Sequence, residues 1–394
     1  MNQASATNAV MVGFGHTPFG KLDTLDLEAL ITAAAREAIA DADISAGEID
    51  AVWLGHFNSG LISDGFCSSM ILGIDPALRF KPATRCENAC ASGATALYAA
   101  LDAIDAGRVK IALVVGAEKM TARDTAGVTE ALSGASYQAE EKGMSFPAIF
   151  ARYADTYHEA FGDPTEAMAH IAVKNHRNAM RNPLAQMHRP LDLDFCLTPS
   201  ERNPMIAAPL KLSDCSLVSD GAAAVVLVHR DLLPNFRRGV GFRAAEHVND
   251  LLPLSAKRLA QFAGPHEAFR RAYRRAGVAV ADIDLAEVHD CFTIAELMCV
   301  EAMGLAGSGE GRAVIIEGQT TREGRLPINL SGGLKAKGHP VGATGVSMHV
   351  TVSRQLLGEA GDAQLETGPE LGLCFNMGGG AVANCVSILE PLKH

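Results

Sequence analysis

The 394-residue chain carries nine cysteines but no Cys-x-x-Cys pair, so a structural zinc site has no support. An odd, scattered set fits a reducing compartment better than a disulfide framework. No apolar run reaches the ~18 residues that span a bilayer. No P-loop or Gly-x-Gly-x-x-Gly run joins a strand pattern to a helix pattern, which leaves nucleotide hydrolysis and hydride transfer without a phosphate cradle. Positive charge is also short: 34 Lys and Arg against 45 Asp and Glu give a formal net charge of −11. A general nucleic-acid or anionic-membrane surface is therefore disfavoured, and any anion site must be a local basic cluster. The start MNQASATNAV lacks the basic-then-apolar pattern of a secretory signal, and the final PLKH is not a peroxisomal tripeptide. The expectation is a soluble, cytoplasmic protein with no resident metal and no permanently bound cofactor.

Hydrophobic residues make up 48% of the chain, enough for sizeable cores. AVMVGFG (9–15) and AVWLG (from 51) read as buried strands, separated by an amphipathic helix over about 26–42. IALVVGAEKM (111–120) is another strand, apolar on both faces as expected beneath helices. Strands alternating with helices predict parallel α/β layers. From about 121 to 205 six prolines interrupt short helical pieces, which reads as an inserted cap or loop domain. SDGAAAVVLV (219–228) then returns to buried strand, and a second α/β half starts near Val240.

That second half repeats the first. A helix, a turn, Ile-Asp and a strand occur at 44–52 and again at 278–288. Cys90 is followed by Ala-Ser-Gly-Ala-Thr and a helix, and His339 by Pro-Val-Gly-Ala-Thr and a helix of similar length. Gly221 before AAAVVLV pairs with Gly380 before AVANCVSIL. Three matches in the same order indicate a duplicated unit, and a pseudo-twofold axis would bring the Cys90 and His339 helix starts together. The units are then residues 1–120 and 206–238 for the first half, 121–205 for the loop domain and 239–394 for the second half.

Cys90 stands at a strand end, before a helix whose first turn begins just after it and whose small first residues leave room for a thioester. Unpaired N–H groups at a helix start favour a thiolate, the nucleophilic form of cysteine. Thioester exchange also needs a base, a second acid/base and donors for the developing oxyanion. His339 in Gly-His-Pro, the run His289-Asp290-Cys291-Phe292 and the run Asn376-Met377-Gly378-Gly379-Gly380 offer candidates for each.

Together these four stretches resemble the thiolase family over essentially the whole chain, and the HDCF run resembles the branch related to sterol carrier protein X. The resemblance implies a five-layer αβαβα body of two duplicated halves with an inserted loop domain. It implies thiolysis of a 3-ketoacyl-CoA by coenzyme A, or the reverse Claisen condensation, through an acyl-Cys90 intermediate. His339 would activate Cys90, and His289 would join it as an oxyanion donor for the enolate. The N–H groups of Cys90 and Gly378 would serve the tetrahedral species. A typical thiolase has Asn-Glu-Ala-Phe at the HDCF run and a cysteine where this chain has Asn376. In the branch it resembles, the HDCF cysteine takes over as second acid/base, which implies Cys291 here with Cys374 in reserve.

For coenzyme A and acyl-CoA, Ser216 resembles the serine near the pantetheine amide, and Met144 is a further candidate for the tunnel. Lys174, His176, Arg177, Arg181, His188 and Arg189 could meet the phosphates. A homodimer or homotetramer is expected, and a small zinc-ribbon/OB-fold partner is possible in this branch. Two other readings stand beside this one: a side-chain-cleaving retro-aldolase relative with a partner protein, and a CoA-binding scaffold subunit.

Overall fold

The computed structural model describes residues 7–392, so the readings of the extreme termini lie outside the described residues. Eleven strands are formed: β1 (Ala9–His16), β2 (Ala51–Gly55), β3 (Ala83–Cys86), β4 (Ile111–Lys119), β5 (Met205–Ala207), β6 (Leu210–Lys211), β7 (Asp220–His229), β8 (Gly239–Asn249), β9 (Leu285–Val288), β10 (Gly372–Gly378) and β11 (Ala383–Leu392). The helices of the first half are α1 (Leu27–Asp41) and α2 (Ser92–Asp105). Between β4 and β5 lie α3 (Thr125–Ser133), α4 (Gln138–Glu141), α5 (Phe146–Phe161), α6 (Thr165–Ala179) and α7 (Leu193–Leu197). The rest are α8 (Ala263–Ala276), α9 (Thr293–Ala302), α10 (Gly311–Ile316), α11 (Gly333–Ala336) and α12 (Thr344–Leu357).

Nine strands run in the order β3-β2-β4-β7-β1-β8-β11-β10-β9. The two ends of this list mirror each other. Counting inward from its edge, the first half reads β3-β2-β4-β7-β1. The second reads β9-β10-β11-β8, with Ile328 bridging parallel to Ala286 outside β9 in the place that β3 holds beside β2. The pair directions match too: β2 with β4 and β9 with β10 are parallel, whereas β7 and β11 run antiparallel to both their neighbours. The duplication read from three short matches is therefore present as topology. The all-parallel expectation is not met, because β7 re-enters from the inserted segment and β11 folds back from β10 through a tight turn. Within the sheet the halves join through two residue pairs, Val10 with Gly241 and Met11 with Val240.

Helix α1 buries Leu27, Leu30, Ile31, Ala34, Ala35 and Ala38 against β1, β4 and β7, and its start is capped by Asp26. Helix α8 covers β8 and β11 on the far side, while α2 and α12 pack on each other between the two sets of strands. That makes five layers, with the Cys90 and His339 helices in the middle. They approach backbone to backbone: a Cβ on Gly93 would lie 2.8 Å from the Gly342 carbonyl oxygen, so the glycines of the shared Gly-Ala-Thr meet at the pseudo-twofold axis. Ser387 on β11 ties the layer together, bonding Tyr98 of α2 and His349 of α12 at 2.8 Å each.

Candidate active site

The turn that carries Cys90 follows β3. Ala89 takes a left-handed conformation with φ of 49°, reversing the chain. Ser92 pins the reversal, accepting from the Asn88 N–H at 3.0 Å and donating to the Ala89 carbonyl at 2.6 Å. The His339 turn is the mirror element. Its N–H donates to Ser219 Oγ at 2.9 Å, and α12 begins five residues later at Thr344. Neither α2 nor α12 has a side-chain cap, and the turns before them border a common space beside Cys90 and His339.

Into that space β9 delivers His289. The Cys90 sulfur and one ring nitrogen from each of His289 and His339 all lie within 4.8 Å of one another. The two imidazoles meet edge to face, 5.1 Å between centroids. Cys291 lines the same cavity of about 300 Å³, as do Ser216, Phe292 and Gly379. The inserted segment is stitched to this run by the Ser216 N–H, which donates to the Cys291 carbonyl at 3.0 Å. Toward solvent the wall is apolar, with Phe146, Pro147, Ile206, Leu212 and Val218. Three of these side chains, Ile206, Leu212 and Val218, are exposed.

Electrostatics at the site are ruled by burial. Burial pushes the Cys90 thiol up to about 12, although the Gly379 N–H directed at the sulfur pulls the other way. The helix-start argument for a resting thiolate is thus overturned: Cys90 precedes the N-cap Ala91 and is only 8% exposed, so desolvation outweighs the dipole. His339 is pushed down to about 3 by burial and by the Lys337 charge. Both groups are therefore neutral at pH 7, and the thiol must pass its proton to a base as it reacts. His339 can take it. Thr344 Oγ1 donates its proton to the Pro340 carbonyl at 3.0 Å, so at 2.8 Å it accepts from His339 Nδ1–H. That assignment leaves a lone pair on Nε2. The trio has the donor atoms of a soft-metal site as well, but an ion there would occupy the Cys90 sulfur.

Burial also raises the Cys291 thiol well above its ordinary range, with Cys90 next in effect. Cys374 is raised well above its range by burial and by Glu287. It pairs with Glu287 across β10 and β9 and does not line the cavity, lying one strand repeat deeper than Asn376. Gly378 ends β10 and lines a neighbouring cavity with Asn88 and Ala89, whereas Gly379 borders both. Met144 is half-buried against the main core and is not on the cavity wall, which is formed by Phe146 and Pro147 at the start of α5.

The basic cluster divides. Lys174 is buried, bonding Glu296 at 2.7 Å and the Ile328 carbonyl at 2.8 Å, and His176 is buried against the Arg189 carbonyl at 2.9 Å. A phosphate role for these two is corrected: α6 turns them inward to hold the second half. Arg177, Arg181, His188 and Arg189 remain exposed.

Three supporting residues had no role assigned from sequence. Asp290 accepts from the N–H groups of Leu334 and Lys335, at 2.6 and 3.2 Å, and from Asn175 at 2.7 Å, which ties the HDCF turn to the segment leading to His339. Burial and the nearby Glu296 push its carboxyl up to about 7. Thr344 orients His339, and the Gly-Ala-Thr repeat was its signal: in the other half Thr95 accepts from Asn88 at 3.1 Å. Asn376 donates to the Cys90 carbonyl at 3.0 Å and contacts His289 Nδ1 at 3.1 Å. Nothing in its sequence neighbourhood announced that.

A buried thiol and two imidazoles meeting on an apolar cavity are the groups that a cysteine-dependent acyl transferase requires. The profile "Thiolase, N-terminal domain" matches residues 9–190, and "Thiolase C-terminal domain-like" matches residues 247–391. An acetyl-CoA acetyltransferase of Methanothermobacter thermautotrophicus is 37% identical, covering 94% of this chain and 96% of its own. Human sterol carrier protein 2 is 31% identical over 96% of this chain and 71% of its own length. Among solved structures, an Ltp2-ChsH2(DUF35) aldolase superposes with a TM-score of 0.83 at 22% identity, covering 99% of both chains. Human mitochondrial 3-ketoacyl-CoA thiolase gives 0.76 at 17% identity, covering 99% of this chain and 100% of its own. The chain belongs to the thiolase family. It is an acyl-CoA C-acyltransferase, acting through an acyl-cysteine intermediate in thiolysis of a 3-ketoacyl-CoA or the reverse condensation.

Proposed function

We propose the following division of labour. In thiolysis, His339 Nε2 takes the Cys90 proton as the sulfur attacks the 3-keto carbon. The tetrahedral oxyanion is held by the N–H groups of Cys90 and Gly378, with the Gly379 N–H on the sulfur. Collapse breaks the bond between C2 and C3, leaving an acyl group on Cys90 and the enolate of the departing acyl-CoA. His289 and the now protonated His339 donate to the enolate oxygen, and the Cys291 thiol gives the proton to carbon. Cys291, left as thiolate, then deprotonates incoming CoA, whose sulfur takes the acyl group from Cys90, and the departing Cys90 thiolate recovers its proton from His339. Condensation runs these steps backwards.

The single observation that carries this reading is the meeting of Cys90, His289 and His339 within 4.8 Å, built from both halves. A retro-aldol cleavage would have no use for an acyl acceptor beside an imidazole base. The pantetheine arm enters along the apolar wall past Ser216, and the exposed Arg177, Arg181 and Arg189 are candidates for the phosphates. We also propose a homodimer through β3. It is an edge strand, and Phe66 and Phe80, 90% and 86% exposed, flank its segment. Among the described residues no helix is long and apolar enough to cross a membrane, and cytoplasmic fatty-acid or lipid metabolism is the expected setting. Co-purification from the native source would reveal a small zinc-ribbon/OB-fold partner.

The test is a brief incubation with acetyl-CoA, acid quench and peptide mapping, beside an assay with acetoacetyl-CoA and longer 3-ketoacyl-CoAs plus CoA. Acetyl on the Cys90 peptide and CoA-dependent cleavage are expected. Label on another cysteine alone would overturn the assignment.

A further inference from the structure

Asn376 is 1% exposed and sits on β10 between the nucleophile and the second histidine. Its orientation is fixed by chemistry. The Cys90 carbonyl 3.0 Å away can only accept, so the group facing it is the amide NH₂; a flipped amide would set two oxygens against each other. The second hydrogen of that NH₂ points at His289 Nδ1, 3.1 Å away. A nitrogen that receives a hydrogen bond carries a lone pair, so in the neutral ring the proton is on Nε2. Among the described residues the amide oxygen has no hydrogen-bond partner, and a Cβ on Gly345 would stand 2.4 Å from it, so the side chain has little room to turn.

We propose that Asn376 is a positioning residue that locks His289 in its Nε2–H tautomer, making it a hydrogen-bond donor and never a base. This rests on the reading of His289 as an oxyanion donor. The two histidines are thereby set to opposite tasks by their partners: Thr344 takes a proton from His339 Nδ1 and frees Nε2 to accept, and Asn376 gives one to His289 Nδ1 and obliges Nε2 to donate.

The molecule contains its own control. His56 follows β2 as His289 follows β9, and in each half the next strand inward supplies the partner. For His56 that partner is the Glu118 carboxylate, 3.0 Å from Nδ1. Burial would lower His56, but the Glu118 charge overrides it and holds the ring up to about 10, as an imidazolium. His289, beside an amide, is held well below its ordinary value by burial and by His339. Replacing the amide by a carboxylate should thus convert one state into the other.

Two measurements on the full-length enzyme test this. The first reads the His289 tautomer directly, from ¹⁵N-histidine solid-state NMR assigned with His289→Gln. Wild type should show a protonated Nε2 and bare Nδ1, Asn376→Ala a mixture, and Asn376→Asp a protonated Nδ1. The second follows enolate formation, as deuterium exchange into the methyl group of acetyl-CoA in D₂O, against pH. Wild type should be flat from pH 6 to 10.5, a range that spans the value of about 10 which a carboxylate gives the buried His56. Asn376→Asp should exchange while His289 is an imidazolium and lose about 10²-fold as pH rises and the Nε2 donor disappears, the cost of one oxyanion-hole donor. Acetylation of Cys90 should change far less. A wild-type ring with bare Nε2, or an Asn376→Asp enzyme whose exchange is parallel to wild type at every pH, would overturn the proposal. If the tautomers are as expected but wild type exchanges no deuterium, the oxyanion role of His289 fails and the lock stands.

Discussion

The two halves have one topology and two chemistries, and the difference lies in a few side chains at equivalent strand ends. After β2, His56 and Glu118 form a buried ion pair whose carboxylate also accepts from the N–H groups of Phe57, Asn58 and Gly342. After β9, His289 faces an amide and the cavity. The Glu118 carboxylate is filled by internal donors and holds loops in place, while His56 Nε2 is buried without a hydrogen-bond partner among the described residues. The second pair leaves one ring nitrogen for substrate. Duplication therefore supplies two sites for a histidine, and the neighbouring group sets them apart: a carboxylate holds His56 charged, and an amide beside His289 does not.

The largest effect expected concerns the element unique to the first half. Cys90→Ser should lose at least ~10³-fold in thiolysis, since a serine hydroxyl is far harder to ionise than a thiol, and should take no acetyl in the quench assay. Its counterpart belongs to the second half alone. Cys291→Ala should still acetylate Cys90 but lose about 10²–10⁴-fold in the full reaction, while Cys374→Ala stays near wild type. An active Cys291→Ala with an inactive Cys374→Ala would move the acid/base role to β10.

Glu118→Gln tests the structural side of the comparison, because it strands a buried imidazole that was held charged. Unfolding in denaturant should show a loss of about 3–5 kcal/mol. Acetylation of Cys90 in protein that remains folded should change little by comparison. Were activity to collapse with stability intact, His56 and Glu118 would have to be counted with the chemistry.

Acid should separate the two kinds of histidine. His16 and His339 are pushed down to about 3, His349 to about 4, and His289 well below its ordinary value, each chiefly by burial. Below pH ~6.5 the unfolded chain binds protons at these positions and the folded chain does not, so stability falls as pH falls, by up to about 1.4 kcal/mol per pH unit for each. Asp290, raised to about 7, works in the opposite sense between there and the ordinary carboxylate range. His56, raised to about 10, is charged in both states below pH 6.5 and adds no slope there. Cooperative unfolding between about pH 4 and 6, followed by circular dichroism, is the expected outcome. The smallest effect is at Ser216, where Ser216→Ala should raise the KM for CoA several-fold, about 1 kcal/mol for one hydrogen bond, and leave Cys90 acetylation intact.

Much of this was legible in the residues. Buried strands such as AVMVGFG and IALVVGAEKM announce themselves by unbroken apolarity, and the Gly-Ala-Thr repeat placed Cys90 and His339 together because close helix contact demands the same small residues twice. Strand direction was not legible, since an apolar run looks alike in either sense. The inward turn of Lys174 and His176 was hidden because a basic run reads as a solvated face until its carboxylate and carbonyl partners arrive from distant sequence. The resting state of Cys90 was misread for a related reason: a helix start is visible in sequence, but the depth of burial that outweighs it is not. Asn376 was hidden most completely, as its meaning depends on which atom of a histidine 87 positions away lies opposite its amide.

The sheet order has a consequence for how the chain is made. Strand β7 lies between β4 and β1, but its first residue, Asp220, is synthesised 101 residues after Lys119, the last residue of β4. At about 5–20 residues per second a nascent chain spends roughly 5–20 s with two apolar strands awaiting the one that separates them. During that interval the first half is a template without its centre. The helices of the inserted segment are what the ribosome offers meanwhile, and stalled chains ending before residue 220 should be cut readily by protease where longer ones resist.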